Sequence, residues 1–261
     1  NSIEECFEDL TGHIFAVETG LSSDPPMNWR VSDLDGLTLV SNSDAHSPLN
    51  LGREANLLNT PLSYEGIKSA IKNGDSDVFL GTFEFYPQEG KYHLDGHRNC
   101  EIRLNPRETA DHDGKCPVCG KALTLGVLNR VEELADRNPG MKPPTHPSYY
   151  SIIPLAEIIS DIFQVGVKSK KVQKNYQKAL FQLGNEFDIL YTLETDTMDC
   201  AGIPLLGEAI RRMRQKEVEI APGYDGEYGR IKIFNSHERE QLQGQKILFS
   251  IPQKKSAPET V

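Results

Sequence analysis

The chain has 261 residues, a formal net charge of -10 at pH 7, 38% hydrophobic and 25% charged residues, which describes an acidic globular protein of two or three domains. No run approaches the roughly 18 apolar residues of a membrane span, and the N-terminal "NSIEECFEDL" has neither a basic nor an apolar leader segment, so a cytoplasmic location without a membrane partner is expected. The charge disfavours a polyanion held by a global field, so nucleic-acid binding would have to rest on local basic patches. The cysteine count is odd and Cys6 and Cys200 stand far from the rest, which excludes a disulfide framework.

In chain order, "HIFAVETG" (13–20) and "LTLVSNSDAHS" (37–47) are short apolar runs followed by polar loop residues, and predict buried strands ending in functional loops. "PLSYEGIKSAIKNG" predicts a helix with Ser63 as N-cap, Ile67, Ala70 and Ile71 on one face, and Gly74 as its stop. "DSDVFLGTFEFYP" returns to strand-like sequence. Alternating strand and helix give an α/β class for residues 1–86.

After Pro87 the composition shifts to Gly, His, Cys and Pro, marking a small metal-binding module over 87–147 that closes with the helix "TLGVLNRVEELADR" and the proline-rich "NPGMKPPTHPS". Residues 148–252 predict a helical domain built from "YYSIIPLAEIISDIF", "KSKKVQKNYQKALFQLGNEF" and "PLLGEAIRRMRQ", ending in two strands joined by a Gly-rich turn. The tail 253–261 is expected to be disordered.

His97 and Cys100 are two residues apart, Cys116 and Cys119 likewise, with fifteen residues between the pairs. Two such knuckles predict a tetrahedral, structural Zn2+ site without an open position for substrate. A redox Cys-x-x-Cys would begin a helix after a strand, whereas "CPVCG" sits in a Gly/Pro loop. His93 and His112 are alternatives to His97, which alone repeats the two-residue spacing.

A second candidate centre lies in "SNSDAHS". Asp44 and His46, placed at a strand end, would face the same side and could share a hydrolytic divalent cation, with Glu18 as a further carboxylate. Two basic clusters are candidates for phosphate contact: Lys168, Lys170, Lys171, Lys174 and Lys178 in one stretch, and Arg211, Arg212, Arg214 and Lys216 in another. Such runs are often no more than solvated faces, but clustering tells more in an acidic chain.

"AVETGLSSDPPMNWRVSDLDGLTLVSNSDAHSP" resembles the closing part of a polymerase and histidinol phosphatase (PHP) domain. "YHLDGHRNC", "CPVCGKALTLGVLNRVEELADR" and "APGYDGEYGRIKIF" extend the resemblance to the endonuclease Q family, over nearly all of the chain except the tail. The resemblance implies the C-terminal part of a distorted β/α barrel, a small zinc-binding domain and a mostly helical C-terminal domain. It implies a DNA-repair endonuclease that cuts 5′ of uracil, hypoxanthine, xanthine or an abasic site, with Mg2+, Mn2+ or Zn2+ at a PHP site to which Asp44, His46 and Glu18 contribute.

The His-x-His strand that opens a PHP domain is not found in this sequence, so the chain is expected to cover the C-terminal two-thirds of the pattern and to be inactive alone. The competing expectations are a phosphoesterase of small phosphate esters and a non-catalytic zinc-stabilised scaffold that binds DNA or a sliding clamp. "QKILF" resembles a clamp-binding peptide anchored by Gln245, Leu248 and Phe249.

Overall fold

The computed structural model describes residues 2–235, 238, 239, 241, 242 and 244. They fall into two compact units, one of Asn1–Pro154 with Ile220–Ile231, the other of Leu155–Glu219 with the segment from Lys232. The expected disordered tail and the clamp-like Gln245, Leu248 and Phe249 lie outside the described residues.

The first unit begins with α1 (Ile3–Phe7), held by a capping box in which the Glu5 amide donates to Ser2 Oγ and the Ser2 amide to Glu5 Oε2, both at 3.1 Å. The strands β1 (Ala16–Glu18) and β2 (Thr38–Val40) pair in parallel, with α2 (Pro25–Asn28) between them in sequence. Both strands are shorter than the apolar runs suggested, because a 3-10 turn takes up Glu8–His13 and the chain leaves β2 before its polar loop.

β3 (Ala55–Leu58), α3 (Tyr64–Asn73) and β4 (Phe79–Glu84) follow. The expected caps of α3 are present: Ser63 Oγ accepts from the Gly66 amide at 3.1 Å, and Gly74 turns left-handed at φ 59°. The metal module adds β5 (Asp95–His97), β6 (Ile102–Leu104), α4 (Pro106–Asp111) and α5 (Val127–Leu134).

β7 (Ser148–Ser151) completes a sheet of order β3-β4-β7, antiparallel on one side and parallel on the other. Its place corrects the expectation that "YYSIIPLAEIISDIF" is helical throughout: Tyr149 and Tyr150 pair with β4, and the helix starts only past Pro154. The proline-rich stretch before β7 wraps Trp29, with the His146 ring 4.5 Å from the indole and Lys142 Nζ 5.7 Å from it. Parallel pairing with helical connections makes the chain an α/β protein.

The second unit is helical. α6 (Leu155–Phe163) buries Leu155, Ile158, Ile159 and Ile162, α7 (Lys170–Leu183) buries Val172 and Ala179, and α8 (Leu206–Gln215) buries Leu206, Ala209, Ile210 and Met213. The spacing of three and four residues is the amphipathic period that packs helix on helix. After α8 the chain returns to the first unit, to which most of the short strands β8 (Glu219–Ala221) and β9 (Arg230–Lys232) belong; they pair as the sequence suggested. No helix among the described residues is long and apolar enough to cross a membrane.

The sheet of the first unit depends on Gly81 in β4. Its φ is 151°, and a Cβ there would stand 2.2 Å from the Ser148 carbonyl oxygen of β7. Gly81→Ala should lower stability by roughly 2 kcal/mol or more, read as a fall in the urea midpoint of the first unit's unfolding; an unchanged midpoint contradicts this packing.

Candidate metal centres

The cysteine-histidine cluster is assembled by two tight turns. β5 delivers His97, a single 3-10 turn carries Cys100, and Glu101 in a left-handed conformation (φ 54°) sends the chain back into β6. In the second turn the Cys116 amide donates to the Lys121 carbonyl at 2.7 Å and the Gly120 amide to the Cys116 carbonyl at 2.8 Å, with Gly120 left-handed at φ 71°. The ligand atoms of His97, Cys100, Cys116 and Cys119 all lie within 4.8 Å of one another. His93 is buried, where desolvation lowers its pKa, and His112 ends α4 on the surface, so His97 is the imidazole that joins the sulfurs.

Three sulfurs this close oppose one another's ionisation. Burial and the neighbouring sulfurs push the Cys100 thiol up to about 11. At Cys116 burial acts in the same sense, but hydrogen bonds from the Cys119 and Val118 amides outweigh it and bring the thiol down to about 6. A cation among the four removes the repulsion, and the set of three thiols and one imidazole fits a closed tetrahedral metal site.

Residues distant in sequence lock the module. Asp225 accepts from the Arg98 amide at 2.7 Å and from Thr124 Oγ1 at 2.6 Å, one residue from His97. The loop between β8 and β9 is bound backbone to backbone: the Leu94 amide donates to Gly223, the Gly226 amide to Lys91 and the Gly229 amide to Glu89, each at 3.0 Å. The buried Asp95 accepts from the Gly126 amide at 2.6 Å and from Asn129 Nδ2 at 2.7 Å, fixing the start of α5.

Asp44 and His46 sit differently from the expectation. β2 ends at Val40, and both residues occupy the exposed loop beyond it, so strand alternation does not bring them together. Asp44 is instead left-handed (φ 45°), which turns its carbonyl to within 2.7 Å of His46 Nδ1. A carbonyl can only accept, so Nδ1 donates and the neutral ring presents Nε2 as its ligand atom. Glu18 ends β1, exposed. Among the described residues Glu18, Asp44 and His46 do not form a close ligand group, in contrast to the cysteine cluster.

Comparison with known proteins places this geometry. Residues 154–217, nearly the span of the second unit's first segment, match the family model "MJ0043 C-terminal domain". An uncharacterised protein MJ0043 of Methanocaldococcus jannaschii is 36% identical over 244 residues, 89% of this chain and 30% of that protein. YqxK of Bacillus subtilis is 32% identical over 234 residues, 89% of this chain and 56% of that one. The solved lesion-specific endonuclease PfuEndoQ of Pyrococcus furiosus superposes with a TM-score of 0.80 at 32% identity, over 88% of this chain and 57% of that one.

The chain is a homologue of endonuclease Q. An endonuclease Q complex with a 27-mer duplex carrying an abasic lesion matches as well, with a TM-score of 0.76 and 30% identity over 91% of this chain and 60% of that one. This endonuclease Q homologue thus spans less than two-thirds of each of these relatives.

The two basic clusters fare differently. Arg212 donates to Glu208 at 2.7 Å, to Glu238 at 2.6 Å and to the Ile233 carbonyl at 3.2 Å, while Arg211 pairs with Glu208 and Glu217 at 2.8 and 2.9 Å. Their guanidiniums are held by carboxylates, and Arg214 is tied to the Ile189 and Leu190 carbonyls. Of the lysines, Lys171 lies over the Phe163 ring at 4.1 Å and Lys178 reaches the Gly202 carbonyl at 3.3 Å, whereas Lys168, Lys170 and Lys174 stand exposed.

Beneath the β1-β2 edge lie two buried carboxyls that local sequence does not announce. Glu84 accepts from Thr19 Oγ1 at 3.1 Å, Ser41 Oγ at 3.2 Å and the Thr82 hydroxyl, and Glu54 accepts from the Phe85 amide at 3.4 Å. Burial pushes Glu84 up to about 8 and Glu54 up to about 7. With folded pKa values above the unfolded ones, the native state retains protons that the unfolded chain has released between about pH 5 and 8, so stability falls as pH rises through that window. Glu84→Gln, neutral at every pH, should raise the unfolding free energy at pH 8 by on the order of 2 kcal/mol and change it little at pH 5; equal effects at both pH values, measured by urea denaturation, would show Glu84 to be charged.

Proposed function

We propose that the chain is the portion of an endonuclease Q-type DNA-repair nuclease that carries one rim of a hydrolytic metal site, a structural zinc module and a helical DNA-contacting unit. The observation that carries this reading is the likeness at TM-scores of 0.80 and 0.76 and at least 30% identity to two endonuclease Q structures, one described as lesion-specific and the other bound to abasic duplex DNA. The substrate on this reading is DNA bearing deaminated bases or abasic sites.

Asp44 and His46 are the residues assigned to the hydrolytic centre, with Glu18 as an additional carboxylate; Mg2+, Mn2+ or Zn2+ are the ions that oxygen and imidazole donors suit. Such an ion supplies Lewis-acid activation of water and offsets charge on the phosphodiester. The chain's own part is to hold Nε2 of His46 outward through the Asp44 carbonyl and to present the Asp44 carboxylate from the same turn. Three donors at most, Asp44, His46 and Glu18, are too few for a competent multinuclear centre. Access to a damaged base requires it to leave the duplex stack. The cysteine-histidine cluster is assigned zinc and no chemistry, because all four positions are protein ligands.

Elemental analysis of the purified chain should give about one zinc per molecule, and Cys116→Ser or a strong chelator should remove it together with the fold of the module. Absence of stoichiometric metal overturns the structural-zinc assignment.

The isolated chain should bind a uracil-containing oligonucleotide without cutting it in Mn2+ or Mg2+. Nicking that Asp44→Asn abolishes would show the centre to be complete. Hydrolysis of small phosphate esters with no affinity for DNA would favour a phosphoesterase instead.

A further inference from the structure

Between Asp161 and Glu186 the chain has five lysines and no carboxylate, in a protein of net charge -10. α7 occupies most of this interval and buries Val172 and Ala179 on its inner side. On its outer side, at 100° per residue, Lys170, Lys174, Gln177 and Phe181 fall within one narrow stripe. All four are exposed, and Phe181, 90% accessible, is the most exposed aromatic side chain among the described residues.

Isolated apolar side chains on a surface are ordinary, so exposure alone assigns nothing. Position does: the phenyl ring stands in line with two lysines, while Val172, Ala179 and the buried residues of α6 and α8 supply the packing of this unit. An anionic membrane surface would need an apolar face on the helix, and here that face is turned inward. A polyanion that also offers flat apolar surface is the complementary partner. Lys170 and Lys174 are one turn, about 6 Å, apart along the axis, and Phe181 lies about 10 Å further on.

We propose that the outer face of α7 docks a DNA strand, with Lys170 and Lys174 on phosphates and Phe181 stacked against an unstacked base. The assignment rests on the DNA-repair reading and adds to it a site for the strand beside a lesion. Stacking on an aromatic ring is sequence-tolerant and weakens by roughly tenfold when the ring is removed, whereas each lost phosphate contact reduces the salt dependence of binding.

The test is fluorescence anisotropy of the full chain with a labelled duplex containing one abasic site and with its undamaged counterpart, across a salt series. Phe181→Ala should weaken binding to the abasic duplex by about tenfold with the salt slope unchanged, and Phe181→Trp should restore it. Lys170→Gln with Lys174→Gln should lower the slope by about two. Thermal midpoints should stay at the wild-type value, since all three side chains are exposed.

Wild-type affinity and slope in all variants overturn this site alone. Failure of the unaltered chain to bind either duplex overturns the DNA reading as well. Loss of binding to phosphatidylserine vesicles in the variants, with DNA affinity unmoved, would transfer the face to a membrane and also overturn the proposal.

Discussion

The middle of the chain depends on keeping three sulfurs and one imidazole within 4.8 Å of each other. Without a cation the arrangement is unfavourable, because each thiolate raises the cost of the next. Cys100 and Cys116 behave in opposite ways: one thiol is pushed up by burial and its neighbours, the other is brought down by backbone amides aimed at its sulfur together with the Cys119 and His97 side chains. The short strands and single turns of the module contribute little core of their own, so its shape has to come from ligation and from the clasp of Asp225.

That clasp explains why the Gly-rich segment between β8 and β9 is what it is. A Cβ on Gly223 would stand 2.3 Å from the Gly90 carbonyl, and one on Gly229 would stand 2.0 Å from the Gln88 carbonyl. The glycines let one backbone approach another, which is a different use from the phosphate cradle that a Gly-rich loop can suggest. Their chemistry is structural, and it ties the segment after α8 to the metal module of the first unit.

Local signals were legible and long-range ones were not. The caps of α3 and the two-residue spacing of the knuckles involve neighbours within a turn, and the structure places Ser63, Gly74, His97 and the three cysteines as those signals indicate. Asp95, Glu54, Glu84 and Asp225 acquire their roles from partners far along the chain, and no periodicity encodes such pairing. The arginines of α8 are an intermediate case: Glu208 lies three and four residues before Arg211 and Arg212, a helical spacing visible in the sequence that signals internal neutralisation. The loop of Asp44 reads as a strand end in the sequence because its left-handed turn needs no glycine, Asp being one of the few residues that tolerate that conformation.

The acidity of the chain bears on how a nuclease of this kind would choose damaged DNA. A net charge of -10 gives no long-range attraction, and at physiological salt a lysine's field is screened beyond about 8 Å. If the chain binds DNA as proposed, affinity for intact duplex, which rests on phosphate contacts, is held down by the small number of exposed lysines on α7. On the proposed reading, what remains is energy available only where bases are unstacked, since a ring such as Phe181 gains nothing from a closed helix. Weak electrostatics and an aromatic contact together then discriminate by the state of the stack, because the term common to all DNA is small beside the term that a lesion alone provides.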